Sequence, residues 1–373
     1  MKAIAITHRG VETTTQKELK ELLKKDSEIK ETVALFDATK EVVAQFAYLA
    51  HSIKRTGILL DAFTISAEWG HTKNIFEQRI SKLATKGWLN GKTFKVESER
   101  NGHHEFNSQS IMETVGELLL KTTTTKVSMS PDIIVFVYTV NNDCYVMVDF
   151  CGFDLSKRDY KIFTHPASLN GVVAYHLIRE AELKEGETIL DPFCGGGTIA
   201  IEAALYCNNI SPQYFRKDKF IFLKFLDLDV TTLDHPHQSK TKIHSFDNQL
   251  RYFSATRKNA KIANVEKLIH ISKVDVEWLD IKLKEGEIDV IITAPPAVIK
   301  TVEAHLIKKV YHELFHQSEY ILAKTGRMVV IVEDSHLLTK ALPHHLQVTN
   351  QKEVWQGEKK FIVVFIKKNT KNI

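Results

Sequence analysis

Thr188-Ile189-Leu190-Asp191-Pro192-Phe193-Cys194-Gly195-Gly196-Gly197-Thr198-Ile199-Ala200-Ile201-Glu202-Ala203-Ala204 is the stretch on which the reading of this chain turns. An apolar strand ends in an acid, three glycines let the backbone pass close beneath a ligand, and a helix of small residues begins at once. That is a nucleotide-type cradle. No Gly-Lys-Ser/Thr follows, so there is no lysine for a triphosphate, and Gly195-Gly196-Gly197 does not fit the spaced glycines of a dinucleotide site. Asp191, at the end of the strand, would repel a pyrophosphate. It would attract a sulfonium and an amino-acid ammonium, which favours S-adenosylmethionine. A tight turn with an incidental acid is the bland alternative.

Two carboxylates downstream stand where such a cofactor needs them. Asp247 follows the predicted strand Lys242–Phe246, where one carboxylate accepts from both ribose hydroxyls. Asp275 follows the predicted strand Leu268–Val274 and is placed to accept from an adenine amine. Either alone reads as a helix cap; both at successive strand ends favour the ligand.

Working outward, the flanking pattern alternates strictly. A helix over Val172–Glu182 leads into strand Thr188–Leu190, and helix Thr198–Tyr206 and helix Leu250–Ala263 separate the next strands. Strand Val290–Thr293, helix Val302–Ala323, strand Arg327–Val332 and two closing strands near Val348–Trp355 and Phe361–Lys367 complete the set. Strands spaced by helices of this length predict a Rossmann-like, doubly wound parallel sheet with an antiparallel edge.

Before it, residues 1–61 read as a small α/β domain: strand Ala3–Thr7, helix Thr14–Lys25, strand Val33–Phe36, helix Thr39–His51 and strand Gly57–Leu60. Residues 62–155 read as a second α/β domain, with Phe63–Ala67, a helix about Asn74–Lys86, strand Thr93–Ser98, helix Ser108–Leu120, and strands Ile133–Tyr138 and Tyr145–Phe150 joined by a hairpin at Asn141-Asn142-Asp143. Residues 156–171 lack periodicity and read as a linker to 172–373.

At 373 residues, 43% hydrophobic and 26% charged, the chain has ample apolar surface to bury and is neither disordered nor fibrous. Fifty Lys and Arg against 46 Asp and Glu give +4, too little to decide for or against nucleic acid. Cys144, Cys151, Cys194 and Cys207 form no CxxC pair, so neither a disulfide framework nor a metal is expected. No apolar run suits a membrane and the first residues turn polar too soon for a signal peptide, so a cytoplasmic protein is expected.

Thr164-His165-Pro166-Ala167-Ser168-Leu169-Asn170, a short helix and then Leu190-Asp191-Pro192-Phe193-Cys194-Gly195-Gly196-Gly197-Thr198 resemble the THUMP-domain RNA guanine methyltransferases, a branch of the class I S-adenosylmethionine-dependent enzymes. So do Phe94–His103, Val115-Gly116, Ser130-Pro131-Asp132 and Gly152–Tyr160, which look like a THUMP module and its exit. The segment His244–Val265, with Asp247 twelve residues before Asn259, is similar to the family's ribose-binding stretch. The resemblance spans roughly residues 60–367. It implies methylation of the exocyclic amine of a guanosine in tRNA or ribosomal RNA, an N-terminal ferredoxin-like domain and a THUMP domain that together clasp the tRNA acceptor stem, and no metal. It also makes His165, Cys194, Thr198, Asn248 and Val276 further cofactor contacts beside Asp191, Gly195, Gly196, Gly197, Asp247 and Asp275. Cys194 itself reads as a small turn residue, since amine methylation needs no nucleophile.

RNA of A-form is read through phosphates and hydroxyls, and Arg100, His103, His104, Lys157 and Arg158 are the candidate phosphate contacts. Tyr214-Phe215-Arg216-Lys217-Asp218-Lys219-Phe220-Ile221-Phe222 interleaves aromatics with cations, as an RNA-facing segment does, although amphipathic packing explains it more simply.

One motif departs from the family. After the strand Val290–Thr293 the family carries Asn or Asp, two prolines and an aromatic: the acid or amide oxygen and a proline carbonyl orient the poorly nucleophilic amine, and the ring stacks on the base. This chain has Ala294-Pro295-Pro296-Ala297. Losing an acceptor that acts in the transition state costs orders of magnitude in rate, and a stacking ring is worth ~1–3 kcal/mol per base. Three readings stay open: a paired replacement of an active site, a non-catalytic RNA-binding paralogue, or a substitute contact from Thr293 or Phe193. A methyltransferase acting on DNA adenine or protein glutamine would share the diproline but leave the THUMP pattern unexplained.

Overall fold

The computed structural model describes residues 1–83, 87–298 and 304–369. The end of the helix expected over 74–86 and the start of that expected over 302–323 lie outside the described residues. The chain divides into two units: Met1–Thr7, Thr15–Leu155 and Gln213–Leu233 form the first, and His8–Thr14, Ser156–Pro212 and Asp234 onward the second.

The first unit is built from β1 (Lys2–Ile6), α1 (Glu12–Leu23, from Thr15 onward), β2 (Ser27–Lys30), β3 (Val33–Asp37), α2 (Lys40–Leu49) and β4 (Arg55–Thr64), followed by α3 (Trp69–Leu83), β5 (Thr93–Asn101), α4 (Ser108–Thr122), β6 (Lys126–Val127), β7 (Ile133–Val140) and β8 (Asp143–Asp149). Its sheet runs β2-β3-β1-β4-β8-β7-β5-β6. The first six elements, β-α-β-β-α-β with β1 between β3 and β4, have a ferredoxin-like order, and the sixth runs past residue 61 to Thr64. Strand β2 is not legible in the residues: Ser-Glu-Ile-Lys is exposed at the sheet edge and shows no apolar alternation. The stretch Gly57–Leu60 and the first two residues of Phe63–Ala67, separate in the sequence pattern, belong to the one long β4, which ends at Thr64. It pairs with β1 on one side and with β8 on the other, through a register shift between Leu59 and Asp61. The β7–β8 hairpin turns at Asn141, whose φ of 51° is one that Asn tolerates.

The segment 213–233 resolves the choice between RNA-facing and packing roles for its apolar half. Phe220 and Phe222 are 2% and 0% exposed in the core of this unit, and Phe220 meets Tyr48 edge-on at 6.2 Å. Phe225 packs edge-on against Phe150 at 5.1 Å and Trp88 at 6.0 Å. Tyr214 and Phe215 keep exposed faces.

The second unit contains α5 (Gly171–Glu180), β9 (Thr188–Asp191), α6 (Thr198–Cys207), β10 (Lys242–Asp247), α7 (Leu250–Ile262), β11 (His270–Lys273), α8 (Leu279–Lys282), β12 (Ile288–Thr293), α9 (Ala304–Ile321), β13 (Leu322–Val332), α10 (His336–Lys340), β14 (Leu346–Gln356) and β15 (Lys359–Lys368). Its sheet order is β11-β10-β9-β12-β13-β15-β14. The pairings are parallel except those of β15 with β13 and β14. This is the doubly wound sheet the alternation predicts, with apolar clusters on both faces. The antiparallel pair closes it in an order that sequence spacing does not give: the last strand lies inside, and β14 is the edge. Residues 156–170 carry no helix or strand, yet Arg158 and Tyr160 are buried. Successive strands diverge to either side of the β9–β12 pair, so a crevice opens at the carboxyl ends of those strands.

Candidate functional site

At that crevice β9, buried along its whole length, ends in Asp191 and passes through the glycine turn into α6. Two glycines are required by geometry. Gly197 caps α6 with φ +80°, and a Cβ there would lie 2.6 Å from Thr256 Cγ2; one on Gly196 would lie 2.9 Å from the carbonyl oxygen of Phe163. The turn is clamped by α7. Thr256 Oγ1 donates to the Gly195 carbonyl at 2.9 Å, and Asn259 Nδ2 donates to the carbonyls of Gly196 and Phe163, each at 2.8 Å. The Phe163 N–H donates back to Asn259 Oδ1 at 3.0 Å. Sequence reasoning places Asn259 only by its spacing from Asp247 and misses Thr256. Both sit one helical turn apart on the buried face of α7, which is the signal that could have found them.

Asp191 is 2% exposed. It accepts from Thr293 Oγ1 at 2.7 Å and from the Phe193 N–H at 3.3 Å. Burial pushes its carboxyl up to about 7, with Asp247 adding to the rise and the two hydrogen bonds opposing it. No cation pairs with it among the described residues. A buried carboxylate in this state is destabilised until a positive group arrives, which fits the ammonium and sulfonium of S-adenosylmethionine. Asp247 ends β10 and holds the glycine turn as well as facing the crevice: Oδ2 accepts from the Gly195 N–H at 3.1 Å and Oδ1 from the Gln249 N–H at 2.9 Å. Each oxygen keeps a lone pair for a ribose hydroxyl. Burial raises its carboxyl too, against those two bonds. Asp275 caps a short 3-10 turn through the Glu277 N–H, and the exposed Asn248 donates Nδ2 to its Oδ2 at 2.8 Å.

The other candidate contacts divide. His165 lies against the turn, 3.3 Å through its Cβ from where a Gly195 Cβ would stand. Its ring meets Tyr252 at 4.4 Å, and Nδ1 accepts from the Ala167 N–H. Burial lowers its pKa below the ordinary histidine value, so it is neutral at pH 7 and Nε2 carries the hydrogen. Thr198 and Val276 are buried beside the turn and the 3-10 cap. Cys194 is a buried thiol beside Thr256 Oγ1 at 3.4 Å, pushed up to about 12 by burial and so no nucleophile at neutral pH. Phe193 is half-buried and packs on the apolar cluster beneath the crevice.

The loop after β12 faces the glycine turn across the β9–β12 pair. Ala294 packs partly into the core, Pro295 is buried, Pro296 is exposed and Ala297 half-buried. Tyr311 of α9 donates its hydroxyl to the Pro296 carbonyl at 2.9 Å, which positions the loop. Thr293 is fully buried and gives its hydroxyl hydrogen to Asp191.

Among the RNA candidates, Arg158 is corrected. Its side chain is 0% exposed and pairs with Glu202 of α6 through Nε at 2.8 Å and Nη2 at 3.2 Å, while Tyr160 also donates to Glu202 at 2.8 Å. A guanidinium locked there cannot reach a phosphate. Lys157 and His103 are exposed. Arg100 is half-buried, with Nη1 on the Gly102 carbonyl and beside His104 Nδ1 at 3.0 Å, and His104 Nε2 lies 2.7 Å from the Asn141 carbonyl. Among the described residues no group of three or more His, Cys, Asp or Glu is placed to hold a metal ion, and no helix is long and apolar enough to cross a membrane.

Comparison with known proteins identifies the family and the fold. Residues 158–361 match the RMKL-like methyltransferase domain and residues 72–149 the THUMP domain. The tRNA (guanine(6)-N2)-methyltransferase of Methanocaldococcus jannaschii is 30% identical over 351 residues, 89% of this chain and 91% of that protein. The protein of the same name from Archaeoglobus fulgidus is 27% identical, over 93% of this chain and 87% of its own length. In fold, the chain is similar to SMU.472, a putative methyltransferase complexed with SAH, at a TM-score of 0.82 and 21% identity over 98% of this chain and 97% of the other.

Proposed function

Because the chain belongs to the RMKL-like family of S-adenosylmethionine-dependent methyltransferases and carries a THUMP domain, we propose that it binds tRNA and presents the exocyclic amine of a guanosine to the methyl group, in a chemical step slowed by Ala294 and Ala297. Asp191, buried and without a cation partner among the described residues beneath the clamped glycine turn, carries this reading. The names of the two curated relatives support the choice of guanine N2 and tRNA.

In this reading residues 1–61 act as the ferredoxin-like domain, 62–155 as the THUMP domain, 156–171 as the linker and 172–373 as the methyltransferase domain of a cytoplasmic protein. When bound, the cofactor supplies an electrophilic methyl group beside its sulfonium. Asp191 holds the charged methionine end, Asp247 the ribose and Asp275 the adenine amine. His165, Gly195, Gly196, Gly197, Thr198, Asn248 and Val276 shape the walls, and Phe193 and the Pro295-Pro296 backbone face the base. Arg100, His103, His104 and Lys157 meet phosphates.

Methyl groups at positions 294 and 297 provide neither an acceptor for the amine hydrogens nor a ring to stack on. The same pair favours a second reading, a non-catalytic RNA-binding adaptor that retains the cofactor site. Incubation with tritiated S-adenosylmethionine and unmodified tRNA separates the two. Slow label in tRNA supports the enzyme. Tight tRNA binding with no label, even after prolonged incubation, supports the adaptor. Ala294→Asn with Ala297→Tyr is expected to raise label incorporation by at least tenfold, since each ~1.4 kcal/mol recovered in the transition state is a factor of ten. No label from that double variant overturns the placement of the reacting amine at this loop.

A further inference from the structure

Helix α7 has two faces with different work. Tyr252, Ala255, Thr256, Asn259 and Ala260 are buried, and two of them clamp the glycine turn. On the opposite arc Arg251, Lys258 and Lys261 are exposed, seven and then three residues apart, within one ~80° stripe about 15 Å long at 100° and 1.5 Å per residue. The helix contains no acid, and these three cations have no carboxylate within ion-pair distance among the described residues; Arg257, beside them, is taken by Glu266 at 2.7 Å. Lys258 and Lys261 are a like-charge pair at i,i+3, an arrangement that weakens an isolated helix by a few tenths of a kcal/mol. The stripe starts at the crevice, where Arg251 stacks at 4.4 Å over Tyr252 and exerts its field on Asp247. It also includes an aromatic face: Lys258 Nζ stands 4.7 Å from the ring of Phe163, which is 39% exposed and fixed through its backbone to Asn259.

We propose that this stripe, Arg251, Lys258 and Lys261 with the ring of Phe163, is a second RNA-binding surface, which receives the sugar-phosphate backbone of the strand bearing the target base. The inference rests on the reading of tRNA as substrate. A row of cations without carboxylate partners, beside an exposed ring, is complementary to a polyanion with stackable bases, and its attachment to the turn-clamping helix places that polyanion at the mouth of the crevice. A solvated basic face is the alternative that the experiment must exclude.

Binding of fluorescently labelled, unmodified tRNA to the full chain is measured by anisotropy over a salt series for three proteins. These are the wild type, the triple variant Arg251→Gln/Lys258→Gln/Lys261→Gln, and a charge-matched control, Lys324→Gln/Lys340→Gln/Lys367→Gln, from exposed positions elsewhere in the unit. Thermal unfolding verifies that each is folded. Each phosphate that the protein ceases to neutralise flattens the log-affinity against log-salt slope by about 0.7–0.9, so the triple variant is expected to show a slope shallower by about 2 and the control an unchanged one. An unchanged slope in the triple variant, with tRNA still bound by the wild type, overturns this surface and leaves the tRNA reading standing. An equal flattening in the control assigns the effect to net charge and overturns it as well. Absence of tRNA binding by the wild type overturns both.

Discussion

Asp191 is the residue at which stability and ligand binding oppose each other, and Asp191→Asn tests this directly. Its carboxyl is pushed up to about 7 from 3.8 because the folded protein buries it, with Asp247 adding to the rise. Three pKa units at 1.36 kcal/mol each amount to ~4 kcal/mol, an upper figure for a buried group. The sign follows from proton binding. Between pH 4 and 7 the unfolded chain has released this proton and the folded chain keeps it, so the free energy of unfolding falls as pH rises through that window and levels off above 7. Asparagine keeps the acceptor for Thr293 and Phe193 and cannot ionise. By chemical denaturation, ligand-free Asp191→Asn is therefore expected to match the wild type near pH 4 and to exceed it by several kcal/mol at pH 8. S-adenosylhomocysteine, whose ammonium needs the ionised acid, is expected to bind the wild type about tenfold more tightly per unit from pH 5 to 7 and with constant affinity above, because one proton is displaced. The variant should bind weakly at every pH. A stability difference between the two proteins that is the same at pH 4 and pH 8 would refute the reasoning.

Asp247→Ala is expected to weaken S-adenosylmethionine by about 1–3 kcal/mol in calorimetry, since the carboxylate both steadies the turn through Gly195 and faces the ribose; unchanged affinity removes it from the site. Arg158→Ala leaves Glu202 charged and buried, so it should cost about 3–5 kcal/mol in thermal unfolding, whereas the exposed Lys157→Ala should stay within about 0.5 kcal/mol. Phe220→Ala empties an aromatic site in the core of the first unit and is expected to cost about 3–5 kcal/mol. A loss of RNA binding with stability intact would instead return this ring to an RNA-facing role.

Much of the second unit is legible in its residues because the decisive constraints are local. An apolar tetrapeptide ending in an acid, glycines that alone tolerate the φ of 197 and the crowding at 196, and a small-residue helix specify the cradle before any tertiary contact is made. The strand–helix period likewise fixes a doubly wound sheet there, and the Asn141 turn fixes the hairpin of the first unit. What the residues leave undecided is which side of the protein surface a side chain occupies. Arg158 carries the same charge whether it meets a phosphate or Glu202, 44 positions away, and the chain must fold before that carboxylate arrives. Phe220 and Phe222 read more simply as packing residues than as base-stacking rings, but which neighbours enclose them emerges only when the first unit supplies Tyr48 and Phe150. Thr256 and Asn259 become clamps, and Arg251, Lys258 and Lys261 a stripe, only when α7 docks beside the glycine turn. Sequence by itself thus determined the backbone of the cofactor cradle, because steric and hydrogen-bonding demands there are met within a few residues. Tertiary structure alone decided burial, pairing and facing, because those depend on groups that folding brings together from distant parts of the chain.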